Sequence, residues 1–172
     1  NNGGNTNQSQ TYMSKGTQAN VVSTRLGVKR KRFDININYT HITGDSRYLM
    51  PREWGRDPFY TFMARERNEG AGNVHAMNTN ISYTSKNQNL KSTLAYGYYK
   101  MPAVNDARLN KYGMPSYHQI NLSSTYIFKN FWKGLELRFL VASKIKSGND
   151  YLAPKYVYNK VNMTNFSLVA DL

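Results

Sequence analysis

The feature that most constrains this chain is an alternation of apolar and polar residues with a period of two. In residues 33–43, apolar side chains occupy the odd positions from Phe33 to Tyr39, and the even positions between them are polar, including Asn36 and Asn38. A strand places alternate side chains on opposite faces, whereas a helix returns to one face every three to four residues. The pattern therefore predicts strands with one apolar and one polar face.

The same alternation recurs along the chain and predicts seven strands, of which the first and last have the weakest pattern. They are residues 21–29, 33–43, 77–83, 90–99, 119–128, 135–145 and 165–172. Each segment has roughly 8 to 11 residues, close to the length that a tilted strand needs to cross a bilayer. We therefore expect each segment to be a membrane crossing.

The connections alternate between brief polar turns and long segments. The turns are residues 29–32, 84–89 and 129–134, and the long segments are residues 44–73, 101–117 and 146–160. This rhythm is typical of outer-membrane barrels, which have short periplasmic turns and long extracellular loops. Residues 59–65 (FYTFMAR) could form another strand, but a crossing there would move the later short turns to the side of the long loops. We therefore assign them to the extracellular loop at about 44–73.

Composition removes several other classes of protein. No apolar run is longer than residues 139–142, whereas a membrane-spanning helix needs about 20 apolar residues. The absence of cysteine excludes disulfides, thiolate metal sites and a cysteine nucleophile, and it fits export to an oxidising compartment. The amino end has neither an initiator Met nor an apolar signal segment, so we expect a mature form or a fragment.

A soluble sandwich also alternates, but three features favour a barrel. The polar face is crowded with amide, hydroxyl and basic side chains, the loops are long for a compact soluble sheet, and aromatic residues lie near the strand ends. The expected periplasmic belt is Tyr83, Tyr126, Phe128, Phe131 and Trp132, and the expected outer belt is Tyr96, Tyr98, Tyr99 and Tyr117. We therefore predict an all-β fold, a partial transmembrane antiparallel β-barrel. Seven strands cannot close an even-stranded barrel, so we expect the others to precede Asn1.

The net charge of +13 calls for an anionic partner. On the polar face, the alternation places the predicted pore-lining residues Arg25, Lys91, Arg138, Lys144, Asn36, Asn38, Gln119 and Asn121. A wall of one charge sign concentrates solutes of the opposite charge, and the guanidinium fork can hold a carboxylate through two hydrogen bonds. We expect residues 29–32 (KRKR) to lie at the periplasmic rim or to contact lipid headgroups, and not to form a solute site.

The long loop contributes four candidate constriction residues, namely Arg65, Arg67, Arg52 and Arg56. Arg65 and Arg67 would share a face if this segment is extended, so we expect this pair to reach the lumen. The loop also carries a similar number of carboxylates. An internal network of ion pairs that holds the loop in place is therefore an open alternative for these arginines.

Two other functional classes fit the sequence less well. A sequence pI near 9.9 with many aromatic residues suggests nucleic-acid binding, but here the aromatic residues lie mostly on the apolar face and the basic ones on the other. The histidines, His41, His75 and His118, have no metal-ligand spacing, and neither Ser92 nor Ser124 has a matching histidine at similar depth. We predict no enzymatic activity, no metal, no cofactor and no nucleic-acid partner.

Four stretches resemble the carboxyl-terminal part of the OprD-like outer-membrane porins of Gram-negative bacteria. They are residues 52–70 (REWGRDPFYTFMARERNEG), 109–122 (LNKYGMPSYHQINL), 133–139 (KGLELRF) and 154–163 (PKYVYNKVNM). The resemblance covers most of residues 44–172. It implies the last part of a barrel of about 18 strands, with inward-folded loops and a ladder of basic side chains along the wall.

This resemblance implies a multi-pass protein of the bacterial outer membrane and passive diffusion of small polar, carboxylate-bearing solutes. The implied partners are outer-membrane lipid and lipopolysaccharide, the solutes, the missing amino-terminal part of the barrel and other outer-membrane proteins. The chain departs from the family pattern in two respects. The amino half, which holds a principal constriction loop in the family, is missing, and the sequence ends in Leu172, whereas many such barrels end in an aromatic residue. We expect residues after Leu172 or an atypical insertion signal. A non-porin outer-membrane component of a larger complex and a basic nucleic-acid-binding β-protein are the alternatives.

Overall fold

Seven strands make up most of the regular structure of the described residues. The computed structural model describes residues 16–49, 58–66, 68, 70–149 and 163–171. The strands are β1 (Val21–Arg30), β2 (Phe33–Ile42), β3 (Val74–Thr84), β4 (Leu90–Lys100), β5 (Tyr117–Ile127), β6 (Glu136–Lys146) and β7 (Met163–Asp171). One short 3-10 helix, Asn130–Trp132, lies between β5 and β6. In these described ranges, no helix combines the length and the apolar character needed to cross a bilayer.

The seven strands form one antiparallel sheet in which each strand pairs with its neighbour along the chain. All seven strands predicted from the alternation are confirmed, with ends that differ by up to three residues. Valine, isoleucine, threonine and tyrosine are frequent in them, as expected for a pleated surface. The sheet is open, with β1 and β7 at its edges in the described part of the chain.

The register assigns every strand residue to one of two faces, because side chains directly opposite each other share a face. One row crosses all seven strands and is apolar throughout, and it consists of Val28, Ile35, Ile81, Leu94, Leu122, Val141 and Phe166. We call this side of the sheet the apolar face. The opposite side carries most of the polar strand residues, and we call it the polar face.

Burial on the two faces is the reverse of that in a soluble sandwich. On the apolar face, Leu26 is 80% exposed and Phe166 is 69% exposed. On the polar face, Asn38 and Gln119 are 1% and 0% exposed. The hydrophobic core of the described residues lies among the long loops and the adjoining strand ends, and it includes Ile42, Met63, Val74, Ala76, Tyr99, Met101, Met114 and Tyr117. No described residues cover the apolar face as a second layer.

Tyr99 and Tyr117 correct one expectation from the sequence. Both were expected in the outer aromatic belt, but their side chains are fully buried and stack with ring centroids 4.7 Å apart. The reason is the alternation of side chains along each strand. Tyr99 lies on the polar face with Gly97, and Tyr117 lies on the polar face with Gln119. Tyr96 lies on the apolar face and is half exposed, as expected.

The two long loops that precede β3 and β5 are joined by backbone hydrogen bonds. The amide of Gly72 donates to the carbonyl of Leu109 (2.8 Å), and the amide of Lys111 donates to the carbonyl of Gly70 (3.0 Å). Ala71 also forms an isolated antiparallel bridge with Asn110. These bonds hold the connection between β2 and β3 against the connection between β4 and β5.

Replacement of Gly72 by alanine tests this loop pairing. A Cβ atom at Gly72 would overlap the carbonyl oxygen of Ser46, which is backbone and cannot move away cheaply. Overpacking of this kind costs about 1–3 kcal/mol. We expect Gly72→Ala to lower the free energy of unfolding by that amount in a denaturant titration. Gly44→Ala is the matched control, because its Cβ would lie 3.4 Å from the nearest atom. Equal stability of the two variants would contradict the described packing.

Candidate functional site

All eight predicted pore-lining residues lie on the polar face. Arg25, Asn38, Gln119 and Lys144 belong to one row across the sheet, which Asn78 and Gly97 complete between β2 and β5. The adjacent row contains Asn36 and Asn121, whereas Lys91 and Arg138 lie on either side of Thr125 in a row nearer the short turns. The alternation thus gave the correct face for each residue. That these residues line a pore remains a prediction.

Four asparagines on β2 and β3 form a continuous hydrogen-bond network, which we call the asparagine cluster. The Asn38 Nδ2 atom donates to Asn36 Oδ1 (2.7 Å) and to Asn78 Oδ1 (2.6 Å). The Asn80 Nδ2 atom donates to the same two oxygens, at 2.9 and 3.3 Å. Gly27 lies opposite Asn36, and a Cβ there would come within 2.8 Å of Asn36 Cβ, so glycine gives the cluster its space.

The Arg25 side chain is held in place next to this cluster. Its Nε atom donates to Asn38 Oδ1 (2.7 Å), and its guanidinium carbon lies 4.8 Å from the centre of the Tyr60 ring. The Arg25 side chain is exposed. Its Nε therefore binds the protein, while its terminal nitrogens can donate to another group. This arrangement presents a positioned cation on the surface of the polar face.

Residues 58–66 cross the polar face, and we call them the covering segment. Two of its carbonyl oxygens each accept two side-chain hydrogen bonds from the sheet. The Thr61 oxygen accepts from Asn78 Nδ2 (2.8 Å) and the Tyr99 hydroxyl (2.7 Å). The Ala64 oxygen accepts from Gln119 Nε2 (2.7 Å) and Asn121 Nδ2 (2.9 Å). Donors from β3, β4 and β5 thus fasten the segment to the sheet.

The covering segment reaches beyond these central strands on both sides. At one end, the Tyr60 amide donates to Ser23 Oγ on β1 (3.0 Å), and Thr61 Oγ1 donates to Thr40 Oγ1 on β2 (2.8 Å). At the other end, the buried Glu66 interacts electrostatically with the buried Lys144 on β6. The hydrogen bonds of the segment therefore extend from β1 to β5, and its last residue lies near enough to β6 to influence the charge of Lys144.

Gly97 allows the covering segment to lie close to β4. A Cβ atom at Gly97 would come within 2.8 Å of the Met63 sulfur and 2.9 Å of the Tyr99 ring. Sequence reasoning missed Gly97, Met63 and Tyr99 as parts of the site. A signal was present, because an isolated glycine within a strand often marks the close approach of another backbone.

The structure corrects the expected geometry of the loop arginines. Residues 59–65 form no strand, as predicted, but they consist of turns and are not extended. That they belong to an extracellular loop stays a prediction. Arg65 is exposed and has a φ of +71°, so the backbone at Arg65 is not extended, which the prediction of a shared face with Arg67 required. The segment turns here as the Glu66 amide donates to the Met63 carbonyl (3.0 Å). Arg52, Arg56 and Arg67 lie outside the described residues.

Arg138 lies in a different electrostatic environment from Arg25. Its Nε is 2.6 Å from Glu136 Oε1, and its terminal nitrogen is 3.3 Å from Asp171 Oδ2. Arg138 is more than half exposed, so these pairs add little stability. The two carboxylates nevertheless offset its charge. Arg138 therefore presents less net positive charge to a solute than the sequence suggested.

The histidines and serines considered for catalysis pair with other neighbours on the apolar face. His41 and His75 stack at 4.3 Å, the Tyr96 hydroxyl lies 2.7 Å from His118 Nδ1, and Ser92 Oγ lies 2.9 Å from Ser124 Oγ. Among the described residues, no three His, Cys, Asp or Glu side chains are grouped so that they could hold a metal.

Comparison with protein-family models and with curated proteins finds no match to this chain. The resemblance to OprD-like porins therefore rests on the sequence stretches quoted above and stays a prediction.

A pair of cysteines tests the position of the covering segment, because the chain contains no native cysteine. The Thr40 and Thr61 hydroxyl oxygens are 2.8 Å apart, so Thr40→Cys/Thr61→Cys should form a disulfide under mild oxidation. Because Thr40 and Thr61 are fully buried, labelling with maleimide is carried out after denaturation, and we expect both thiols to resist it until a reductant is added. Thr79→Cys/Thr61→Cys is the control, since Thr79 lies on the apolar face, and both of its thiols should be labelled after denaturation without a reductant. Free thiols in both oxidised double variants would contradict the placement of the segment.

Proposed function

We propose that this chain is part of an outer-membrane β-barrel porin of a Gram-negative bacterium. In this proposal, the channel passes small polar, carboxylate-bearing solutes by passive diffusion, the polar face lines its lumen, and the apolar face contacts lipid. The observation that carries the proposal is the reversed burial of the two faces. Apolar side chains are exposed on all seven strands, while amide side chains are buried on the other side of the same sheet.

Lipid contact accounts for the exposed apolar face. Water rarely meets a contiguous apolar surface as broad as the face of a seven-stranded sheet, whereas a bilayer covers it at no cost. Hydroxyl groups on this face also pair across strands, as in Ser92 with Ser124 (2.9 Å) and Ser143 with Thr164 (3.1 Å). Such pairing suits a hydrocarbon environment, where an unpaired polar group is costly.

The polar face has the chemistry of a wall along which small anions could move. The asparagine cluster and the neighbouring hydroxyls supply hydrogen-bonding groups, and Arg25 and Lys91 supply exposed positive charge. In a narrow channel such charges concentrate anions by focusing the electric field. The guanidinium of Arg25 is already oriented by Asn38 and Tyr60, so it can receive a carboxylate without first being ordered.

The covering segment favours a narrow, selective channel instead of a wide, unselective one. It lies across the middle of the polar face and reduces the space that a barrel of this sheet would enclose. Because its Thr61 and Ala64 carbonyls already accept two hydrogen bonds each, they are poor partners for a passing cation. Positive side chains beside the segment, such as Arg25, are then the groups that meet the solute.

Adjacent residues on β5 test which face contacts lipid. Leu122 lies on the apolar face, and Ser123 lies on the polar face. Arginine near the bilayer midplane on the lipid side of a barrel costs about 2–4 kcal/mol. We expect Leu122→Arg to lower the free energy of unfolding in lipid vesicles by that amount, and Ser123→Arg to change it much less. The opposite ranking would mean that the faces are inverted, and two neutral variants would mean that Leu122 faces water.

The charge of Arg25 tests the selectivity of the channel. Arg25→Gln removes the charge but keeps a side-chain amide that can bind Asn38. In planar bilayers with a KCl gradient, we expect the reversal potential of the protein that carries this chain to shift toward lower chloride selectivity. Lys86→Gln, in the turn between β3 and β4, is the control of equal charge change. Unaltered ion selectivity of Arg25→Gln, or an equal shift of the reversal potential in both variants, would show that Arg25 does not contribute to selectivity.

A further inference from the structure

The short-turn end of the sheet is basic. The three short turns, residues 29–32, 84–89 and 129–134, contain seven lysines and arginines and no aspartate or glutamate. Exposed aromatic side chains lie close to this end, including Phe33, Tyr126 and Trp132. A band of aromatic residues next to a band of cations matches the order of groups at a membrane surface, where the acyl region gives way to phosphate.

The turn between β1 and β2 combines both features in one place. An open hollow of about 610 Å³ is lined by Val28, Phe33 and Ile35 together with Arg30, Lys31 and Arg32. The three apolar side chains are between 46% and 71% exposed and lie on the apolar face. The hollow therefore has an apolar wall along the strands and three cations at its turn end.

The turn holds one of these cations in a backbone conformation that usually favours another residue type. Arg30 pairs with Phe33, so Lys31 and Arg32 are the two central residues of a tight hairpin. Lys31 has a φ of +48°, a conformation in which glycine or asparagine is the usual choice. The chain thus places Lys31 at a hairpin position where a small turn residue would fold more easily, and Arg32 follows it at the tip.

We propose that this hollow binds an anionic phospholipid, with its phosphate against Arg30, Lys31 and Arg32 and an acyl chain against Val28, Phe33 and Ile35. Charge complementarity selects an anionic headgroup, and the exposed apolar wall selects a lipid over a free phosphate. This inference rests on the proposed function, because the acyl chain reaches the wall only if the apolar face lies in the bilayer. It adds a lipid site on the outside of the barrel, distinct from the solute path on the polar face.

Lipid titration of the purified protein in detergent tests the site. Bound lipid is counted by native mass spectrometry with dioleoyl phosphatidylglycerol and with dioleoyl phosphatidylcholine. We expect phosphatidylglycerol to bind at least about tenfold more tightly, since each basic residue near an anionic lipid contributes several-fold in affinity. Inorganic phosphate should not displace it. Equal binding of the two lipids, or displacement of phosphatidylglycerol by millimolar inorganic phosphate, would overturn the proposal.

Charge removal locates the site within the basic end. Arg30→Gln/Arg32→Gln should lower the preference for phosphatidylglycerol by about tenfold, whereas Lys86→Gln/Lys133→Gln, in the other two short turns, should largely retain it. Both pairs of side chains are exposed, so neither double variant should alter the fold. An equal loss of the preference for phosphatidylglycerol in both variants would mean that the whole basic end attracts anionic lipid and that the hollow is not a specific binding site.

Vesicle flotation separates this inference from the proposed function. If the protein floats with phosphatidylcholine vesicles after alkaline washing but shows no preference for phosphatidylglycerol, only the lipid site fails. If it stays in the aqueous fraction, the membrane location fails, and the lipid site fails with it.

Discussion

The unbroken register of seven antiparallel strands is the constraint on which the other features depend. A slip of one residue in any strand would move its side chains to the opposite face. An apolar row such as that through Leu94 and Leu122 would then be interrupted, and an amide row such as that through Asn38 and Gln119 would lose its partners. The asparagine cluster, the positioned Arg25 and the attachment of the covering segment all require neighbouring strands to keep this alignment.

Side-chain hydrogen bonds to backbone carbonyls fasten the covering segment to the polar face. A buried amide without a partner costs about 1–3 kcal/mol, so amides on Asn78, Gln119 and Asn121 strongly favour a backbone that can accept from them. The carbonyls of Thr61 and Ala64 meet this need, and Gly97 leaves room for Met63 beside them. Sheet and loop therefore stabilise each other, since each satisfies polar groups that the other buries.

The sequence predicted the strands and their faces well because both depend on local alternation, which a single chain displays directly. The sequence-based prediction failed for Tyr99 and Tyr117. It placed them in an aromatic belt because they lie near strand ends, but their side chains lie on the buried side of the sheet. It also could not reveal the attachment of the covering segment, since the bond from Gln119 to Ala64 joins residues 55 positions apart. No periodic pattern encodes a contact of that kind. The alternation places Glu136 beside Arg138 on the same face, but it could not reveal Asp171, which reaches Arg138 from another strand.

The two edges of the open sheet have a consequence for folding and handling of the polypeptide. Each edge strand, β1 and β7, presents backbone amides and carbonyls that no described strand pairs. Such edges act as templates for further strands, and neither edge strand is protected by a proline within it. The same geometry that would let neighbouring strands join in the membrane therefore makes this stretch prone to edge-to-edge aggregation in water. Refolding of the polypeptide should thus compete with self-association, with a yield that falls as protein concentration rises.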